Sequence, residues 1–301
     1  MGFQNTVPLP FDRAPHQPRA QVLLLSGICL ALLSLYLAFI ARDPRWYTPF
    51  VLGTYLLFGA SNHLAQNRST LSAAFSYPKH FFRLYLLLAI LSFLIDLLLG
   101  RFLGDFWVYP SFDTLDQIVH VWLLGYPLAL LSAVESFWVF SRLLRCNNRN
   151  ALDASWRGLY FWTFVLVTLF LLCAAIYFRL VDKIHVTRQI MFLLLFIGGL
   201  GFDAVAFYLR KPSLIGSISV GSIYTPLCFT ICVPVIGLLH EFPNTYAREW
   251  IYQNIPFVHT EVLGVNVLVL SAGWFFLTIM PLTLAHILLP SAAFAPTSQD
   301  S

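Results

Sequence analysis

The stretch from Leu238 to Phe257, LLHEFPNTYAREWIYQNIPF, carries the features on which the interpretation of the whole chain depends. A hydrophobic run ends there at Glu241, and a carboxylate beside an apolar segment is costly unless another group pairs with it or a function uses it. Trp250 and Tyr252 follow, and these side chains prefer the boundary between membrane and water. The stretch therefore predicts the end of a membrane-spanning helix and a loop at the membrane surface.

The same combination occurs earlier in the chain. Asp96 ends the run Phe-Leu-Ile-Asp, and Trp107-Val-Tyr109 follows after a short gap. A further hydrophobic segment comes after each Trp-x-Tyr motif. The order of acid, Trp-x-Tyr and hydrophobic helix is thus used twice.

Composition places the chain among integral membrane proteins. Of its 301 residues, 58% are hydrophobic and only 11% are charged, whereas a soluble domain carries about a quarter charged residues. The net charge of +4 is small, and no basic stripe indicates a nucleic-acid partner. Four of the five cysteines lie in apolar runs, where they behave as small hydrophobic residues, so we predict no disulfides.

The hydrophobic runs predict an all-α bundle of about eight transmembrane helices, since a span needs about 20 residues. The predicted spans are residues 22–40, 47–64, 83–99, 118–140, 159–178, 190–209, 218–239 and 262–288. Three polar segments remain. These are a disordered cytoplasmic tail at 1–21, a basic cytoplasmic linker at 141–158 and a polar tail at 290–301.

The distribution of basic residues predicts the orientation. With the N-terminus inside, eleven Lys and Arg residues fall in inner segments and seven in outer loops. Cytoplasmic loops carry the excess of such residues. Both termini are then cytoplasmic, in the inner (plasma) membrane, and the acidic loops with the Trp-x-Tyr motifs lie outside.

A sequence match between two segments predicts an internal duplication. Residues 124–137 align without a gap to residues 263–276, with six identical pairs, and this register sets Trp274 against Glu135. The repeats would be residues 22–140 and 159–289, four helices each, related by an axis along the membrane normal. Asp96 and Glu241 would then face one another near the outer surface.

Three acids are the candidate catalytic residues. Glu135 lies well inside the fourth predicted span, where a charge costs roughly 2.5–3.5 kcal/mol, so it should face the bundle interior. Asp96 and Glu241 could be partly desolvated acids that hold and donate a proton. Alternatively, Asp96 forms a salt bridge with Arg101, and Glu241 marks the water interface or pairs with Arg248.

The aromatic motifs have two interpretations as well. Trp107, Tyr109, Trp250 and Tyr252 could simply anchor the protein at the interface. Alternatively, together with Asn244, they line a substrate cavity in which aromatic faces stabilise a developing carbocation. We find no histidine box, nucleotide loop or metal-ligand spacing, so the sequence predicts neither a cofactor nor a metal.

Asp96, Trp107, Tyr109, Pro127 and Glu135 together resemble the membrane-embedded lycopene cyclase family of carotenoid biosynthesis. The Pro-x-Glu-Glu motif of that family is absent, since Pro127 and Glu135 are eight residues apart. The whole pattern is also similar to bacterial polytopic membrane proteins. The resemblance implies carboxylate acid–base chemistry, of the cyclase or isomerase type, on an isoprenoid or carotenoid-like substrate.

A second class of function stays open. The duplication, the embedded acids and the prolines of the last two spans also fit a secondary transporter or proton-coupled permease. Against it, few polar residues are available to bind a hydrophilic substrate.

Overall fold

The computed structural model describes residues 17–65, 68–144, 155–257 and 259–290. These residues form helices, joined by π-helical segments and accompanied by four two-residue strands. The helices are α1 (Gln17–Tyr36), α2 (Tyr47–Leu64), α3 (Thr70–Ser76), α4 (Pro78–Leu94), α5 (Thr114–Asp116), α6 (Tyr126–Leu143), α7 (Arg157–Leu180), α8 (Ile184–Tyr208), α9 (Leu214–Ser219), α10 (Tyr224–Ala247) and α11 (Trp274–Leu288). The π-helical segments are Leu37–Ala41, Ile95–Leu103, Gln117–Gly125 and Val269–Gly273. The strands are β1 (Trp107–Val108), β2 (Ile251–Tyr252), β3 (Glu261–Val262) and β4 (Val265–Asn266).

The described chain contains seven helices that are long and apolar enough to cross a membrane. They run from Pro18–Ala41, Pro78–Leu103, Thr114–Leu143, Arg157–Leu180, Ile184–Tyr208, Tyr224–Ala247 and Val269–Leu288. The protein is therefore an all-helical, multi-pass membrane protein, as predicted. The second predicted span, 47–64, coincides with α2 but is not among the seven. It is more polar than they are, with Asn62 and His63 near its end.

The terminal and linker segments predicted to be polar are covered only in part. Residues 1–16, 145–154 and 291–301 of these segments lie outside the described residues. Helix α1 begins at Gln17, so the predicted tail at 1–21 is several residues too long.

The start of the eighth predicted span is wrong. Residues 261–266 form a β-hairpin, with Glu261 opposite Asn266 and Val262 opposite Val265. Leu263 and Gly264 have φ of 53° and 78°, the two left-handed residues of a type I′ turn. Glycine enters that region without steric cost. Because Leu263-Gly264 lies inside an apolar run, hydropathy alone did not indicate a turn there.

This hairpin also overturns the register of the predicted duplication. Leu263 and Gly264 lie in a turn, whereas Leu124 and Gly125, their aligned partners, lie in a helix. These two of the six identical pairs therefore do not occupy equivalent positions.

Helices pack in the same order in the two parts of the chain. In the first part, α1 and α6 both pack on α2. In the second part, α7 and α11 both pack on α8. Between α1 and α2, a Cβ on Gly27 would lie 2.8 Å from the carbonyl oxygen of Gly53, so only glycine permits this approach. A separate buried cluster of aromatic residues, including Trp46, Tyr109 and Trp250, lies at one end of the bundle.

Candidate functional site

The two Trp-x-Tyr motifs pair with each other. Strands β1 and β2 are antiparallel, with Trp107 opposite Tyr252 and Val108 opposite Ile251. Beyond the strands, the backbone N–H of Gln253 donates to the carbonyl oxygen of Phe106 at 2.7 Å. This short ladder joins the loop after the Ile95–Leu103 segment to the loop after α10. It brings together Asp96 of that segment and Glu241, which lies inside α10 and not at the helix end that the sequence predicted.

Asp96 is fully buried and accepts hydrogen bonds from three aromatic side chains. Trp107 Nε1 and Tyr109 Oη donate to its Oδ1 at 2.7 and 3.0 Å. Trp122 Nε1 donates to Oδ2 at 2.8 Å. Asp96 lies in the π-helical segment Ile95–Leu103, and such segments are frequent at functional sites.

Glu241 has a matching set of donors. Its Oε2 accepts from Trp250 Nε1 at 3.1 Å, and its Oε1 accepts from Tyr252 Oη at 2.8 Å and from Trp274 Nε1 at 2.9 Å. Each acid therefore receives the indole and the phenol of its own Trp-x-Tyr motif. Each also receives the indole of a Trp in the hydrophobic helix that follows, Trp122 for Asp96 and Trp274 for Glu241.

The two sites differ in one charge. Arg101 Nη2 lies 2.7 Å from Oδ2 of Asp96, the salt bridge that was the alternative interpretation of this acid. Its guanidinium carbon lies 4.9 Å from the ring centroid of Tyr109 and 5.7 Å from that of Trp122. Within the part of the chain that the structure describes, Glu241 has no ion pair with Arg248 or another cation. Asp96 is thus neutralised by the protein, and Glu241 is not.

A cavity of about 40 Å³ lies beside Glu241. It is large enough for two or three waters, since one water needs roughly 10–15 Å³. Its polar and aromatic lining side chains are Tyr47, Trp107, Tyr109, His120, Tyr126, Glu241, Glu249, Trp250, Tyr252 and Trp274. The four predicted aromatic residues therefore do line a cavity. Asp96 reaches it only through Trp107 and Tyr109.

The tyrosines of both motifs remain protonated donors. Burial raises the pKa of Tyr252 well above its usual value of 10.0, and the charge of Glu241 raises it further. Burial does the same to the pKa of Tyr109, with smaller contributions from Tyr126 and Asp96. Both phenols can therefore donate to their carboxylates at any physiological pH.

Glu249 is a second carboxyl group at this cavity that the sequence analysis missed. It is buried, and its Oε2 accepts the backbone N–H of Tyr47 at 3.3 Å. Burial raises the pKa of Glu249 well above its usual value, the bond from Tyr47 lowers it in part, and the charge of Asp43 raises it again. Glu249 directly precedes Trp250 in the sequence, and this position could have indicated a second acid at the site.

His240 and Tyr47 form a buried polar pair next to Glu241. The hydroxyl of Tyr47 lies 3.0 Å from Nδ1 of His240. The imidazole ring packs on the indole of Trp274, with centroids 4.6 Å apart. Sequence reasoning gave His240 no role, because no metal-ligand spacing includes it.

Glu135 lies apart from the other two acids. It is fully buried in the bundle, as predicted, but it binds the N-terminus of α3. Its Oε1 accepts from the backbone N–H groups of Thr70 and Leu71 and from the hydroxyl of Ser69, while Asn62 Nδ2 donates to its Oε2 at 2.7 Å. Glu135 and Trp122 lie on one continuous helix, 13 residues apart, so about 20 Å separates Glu135 from Trp122 and from the Asp96 site that Trp122 contacts.

Asp203 makes the corresponding contact in the second part of the chain. Its carboxylate accepts the backbone N–H groups of Leu214 and Ile215, at the start of α9. Ser69 and Ser213 are the N-cap residues of α3 and α9, and each accepts from the N–H three residues later. A buried acid therefore fixes a short helix in each part.

Asn244 supports the site without lining the cavity. Its Nδ2 donates to the carbonyl oxygen of Trp250 at 2.8 Å, and its Oδ1 accepts the N–H of Trp250 at 3.3 Å. Both bonds hold the loop that carries Trp250. The prediction that Asn244 lines the substrate site is therefore wrong in its detail, since the residue positions a lining residue.

Comparisons with protein-family models, with curated proteins and with solved structures give no match for this chain. The resemblance to the membrane-embedded lycopene cyclases therefore stays a prediction.

Proposed function

We propose that this protein is a membrane enzyme that performs carboxylate acid–base chemistry, of the cyclase or isomerase type, on a lipid-soluble isoprenoid or carotenoid-like alkene. One observation carries the proposal. Glu241 borders an aromatic cavity with no cation beside it among the described residues, while its counterpart Asp96 is neutralised by Arg101.

Glu241 is the proton donor in this proposal. Its Oε1 accepts two hydrogen bonds and its Oε2 only one, so Oε2 keeps room for a proton. An ionised carboxylate without a cationic partner is costly in an apolar environment. The neutral acid is therefore the form suited to this position, and it can protonate a carbon of an alkene.

The aromatic faces would then stabilise the positive charge. Protonation forms a C–H bond and leaves a carbocation on the neighbouring carbon, which is attracted to ring faces. Arg101 offers an internal comparison, because its cation lies between a carboxylate and the rings of Tyr109 and Trp122. The rings of Trp250, Tyr252 and Trp274 surround Glu241 without such a cation.

The reaction closes by loss of a proton from another carbon. The base is the carboxylate that protonation of the substrate leaves on Glu241. One proton enters and one leaves, and the electrons stay within the substrate, so an isomerisation or cyclisation balances without an oxidant or reductant. Asp96 acts as a fixed anion that holds Trp107 and Tyr109 in place.

We further propose that the chain is a duplication of four helices, with α2 as an eighth span. Three features support it: the matching donors of Asp96 and Glu241, the β1–β2 ladder between the motifs, and the Ser-capped helices α3 and α9. The equivalent residues are then Trp122 and Trp274, not Glu135 and Trp274. The axis along the membrane normal passes near Val108 and Ile251.

The bias of basic residues supports cytoplasmic termini and the inner (plasma) membrane. In this proposal the protein's partners are the bilayer and a lipid-soluble small molecule. No nucleic acid takes part.

Expression in a lycopene-producing host tests the chemistry. We expect new isomeric or cyclic pigments with the unchanged protein and with Glu261→Gln, which alters an exposed acid of the hairpin. Glu241→Gln should remove these products while the protein still accumulates. An unchanged pigment profile with the unchanged protein would exclude carotenoids as the substrate.

A proton-coupled permease is the second candidate. Pro234 and Pro281 lie inside α10 and α11, and broken helices are common around transport sites. Proton flux into liposomes that Glu241→Gln abolishes, without any change in the lipids, would favour this candidate over the enzyme.

A further inference from the structure

An apolar groove of about 370 Å³ lies between α4, α7, α8 and α11. This volume is within the range of small-molecule sites, about 300–1,000 Å³. Side chains of Leu, Phe and Met form its walls, among them Leu91, Leu98, Leu169, Leu172, Phe202 and Met280. Gly198 and Gly201 of α8 also line it.

A second cavity lies between the groove and the cavity at Glu241 and shares lining residues with both. This cavity of about 50 Å³ shares Ile95, Leu195 and Phe276 with the groove. It shares five residues with the cavity at Glu241, which are Trp107, Tyr126, Tyr252, Trp274 and Leu277. The three spaces therefore lie side by side, in order from the groove to the cavity at Glu241, and the shared side chains separate them.

We propose that the groove binds the hydrocarbon tail of an isoprenoid lipid and directs its alkene end toward Glu241. This inference rests on the proposed function, because it names where the substrate of that reaction lies. None of the described residues that form the groove's walls is charged, so these walls offer nothing to a phosphate or ammonium headgroup. A single neutral chain matches these walls, and its double bonds give the acid at the inner end a group to protonate.

The route into the groove is from the bilayer. Helix α7 forms one wall, and only 6% of its most apolar stretch is buried inside the protein. A lipid-soluble molecule can therefore reach the groove along α7 without crossing water. Thr168 of α7 is the one polar residue of the lining, and its Oγ1 is buried with no hydrogen-bond partner among the described residues.

Gly201 allows the groove to be filled without disturbing the fold. A Cβ added there would meet only Thr168 Oγ1, at 3.4 Å, which is an ordinary contact. Gly201→Leu should therefore place its side chain in the groove. Gly158→Leu is the matched control, because a Cβ on Gly158 meets nothing within 4 Å and the residue does not line the groove.

The test uses the purified full chain in phosphatidylcholine vesicles and a geranylgeraniol that carries a photoactivatable diazirine. We expect labelled peptides from the groove walls on α4, α7 and α8, and competition by excess unlabelled geranylgeraniol. Gly201→Leu should reduce this labelling about tenfold, the effect of roughly 1.4 kcal/mol of lost binding. Gly158→Leu should leave it unchanged. If Gly201→Leu does not accumulate, Thr168→Leu fills the groove from α7 and should have the same effect.

Several results would overturn the inference. Labelling that is spread over the lipid-facing helices, or equal in Gly201→Leu and the unchanged protein, would exclude a specific tail site. Loss of labelling on adding more phosphatidylcholine alone would mean that ordinary bilayer lipid occupies the groove. Glu241→Gln separates this inference from the proposed function, because it should abolish chemistry but keep the labelling. Groove labelling without any chemistry in the unchanged protein would refute the function and support the groove.

Discussion

Trp107 and Tyr252 lie opposite each other in the β1–β2 ladder, and each donates a hydrogen bond to a different buried acid. Trp107 donates to Asp96, and Tyr252 donates to Glu241. The two rings meet edge to face, with centroids 6.2 Å apart. This contact brings the two acid sites next to each other.

Cross-linking tests this pairing directly. Paired residues in an antiparallel ladder have Cα atoms about 4.5–5.5 Å apart, within the range that a disulfide spans. In a background without the native cysteines, Val108→Cys with Ile251→Cys should form a disulfide on mild oxidation, seen by mass spectrometry. Val108→Cys with Val262→Cys, which are not paired, should stay reduced. Equal cross-linking of the two pairs would contradict the ladder.

Glu135→Gln should lower stability, because its NH2 group replaces Oε2, cannot accept the bond that Asn62 Nδ2 donates there, and sets two buried donors against each other. Leaving buried donors unsatisfied costs about 3 kcal/mol in total. The melting temperature in detergent should fall by several degrees, whereas Glu261→Gln at an exposed site should not change it. An unchanged melting temperature in Glu135→Gln would contradict the structural role of this acid.

Glu249→Gln should change how stability depends on pH. Burial raises the pKa of Glu249 in the folded state above the usual 4.5, so the folded protein holds this proton more tightly than the unfolded chain does. Between 4.5 and the raised pKa, stability therefore falls as pH rises, by at most about 1.4 kcal/mol per pH unit from this group.

Glu249→Gln removes the contribution of this proton to the pH dependence of stability. Its melting temperature should depend less steeply on pH above 4.5 and should exceed that of the unchanged protein at the alkaline end. Parallel pH profiles for the two proteins would show that Glu249 has an ordinary pKa.

Trp274 and Trp122 offer a matched pair of substitutions. Trp274→Phe keeps a ring beside Glu241 but removes one of its donors, so it should reduce turnover of the substrate about tenfold or more. Trp122→Phe removes the same bond at Asp96, where Arg101 still balances the charge, and should affect stability more than turnover. The comparison of turnover per folded protein checks this. The opposite order of the two effects would assign the chemistry to Asp96.

The hydrophobic runs were sufficient to predict the helical class and the position of most helices, because length and apolarity decide what can span a bilayer. The bounds of α2 coincide with the prediction. The hairpin at 261–266 was missed because Val262, Leu263, Val265 and Val267 continue the apolar pattern. Its turn depends on two residues with positive φ, which hydropathy does not reveal.

The candidate site was predicted only in part. The order of an acid followed by Trp-x-Tyr was sufficient to predict Asp96 and Glu241 and, from the motifs, the Trp and Tyr that donate to each of them. Trp122 and Trp274 were missed because an indole inside an apolar helix looks like any packing residue until its partner is known. The role of Glu135 depends on α3, a seven-residue helix that no hydrophobic period marks. The β1–β2 ladder joins residues far apart in the chain, and two-residue strands leave no pattern.

Deuterium transfer tests the role of Glu241 most directly. The purified protein would be incubated in D₂O with neutral lipids extracted from its host, and the lipids would be analysed by mass spectrometry. We expect deuterium on carbon in an isomerised or cyclised isoprenoid, with Glu261→Gln equal to the unchanged protein. Glu241→Gln should transfer at least about 100-fold less, the usual contribution of a general acid. Full deuterium transfer by Glu241→Gln would contradict the assignment of Glu241 as the acid.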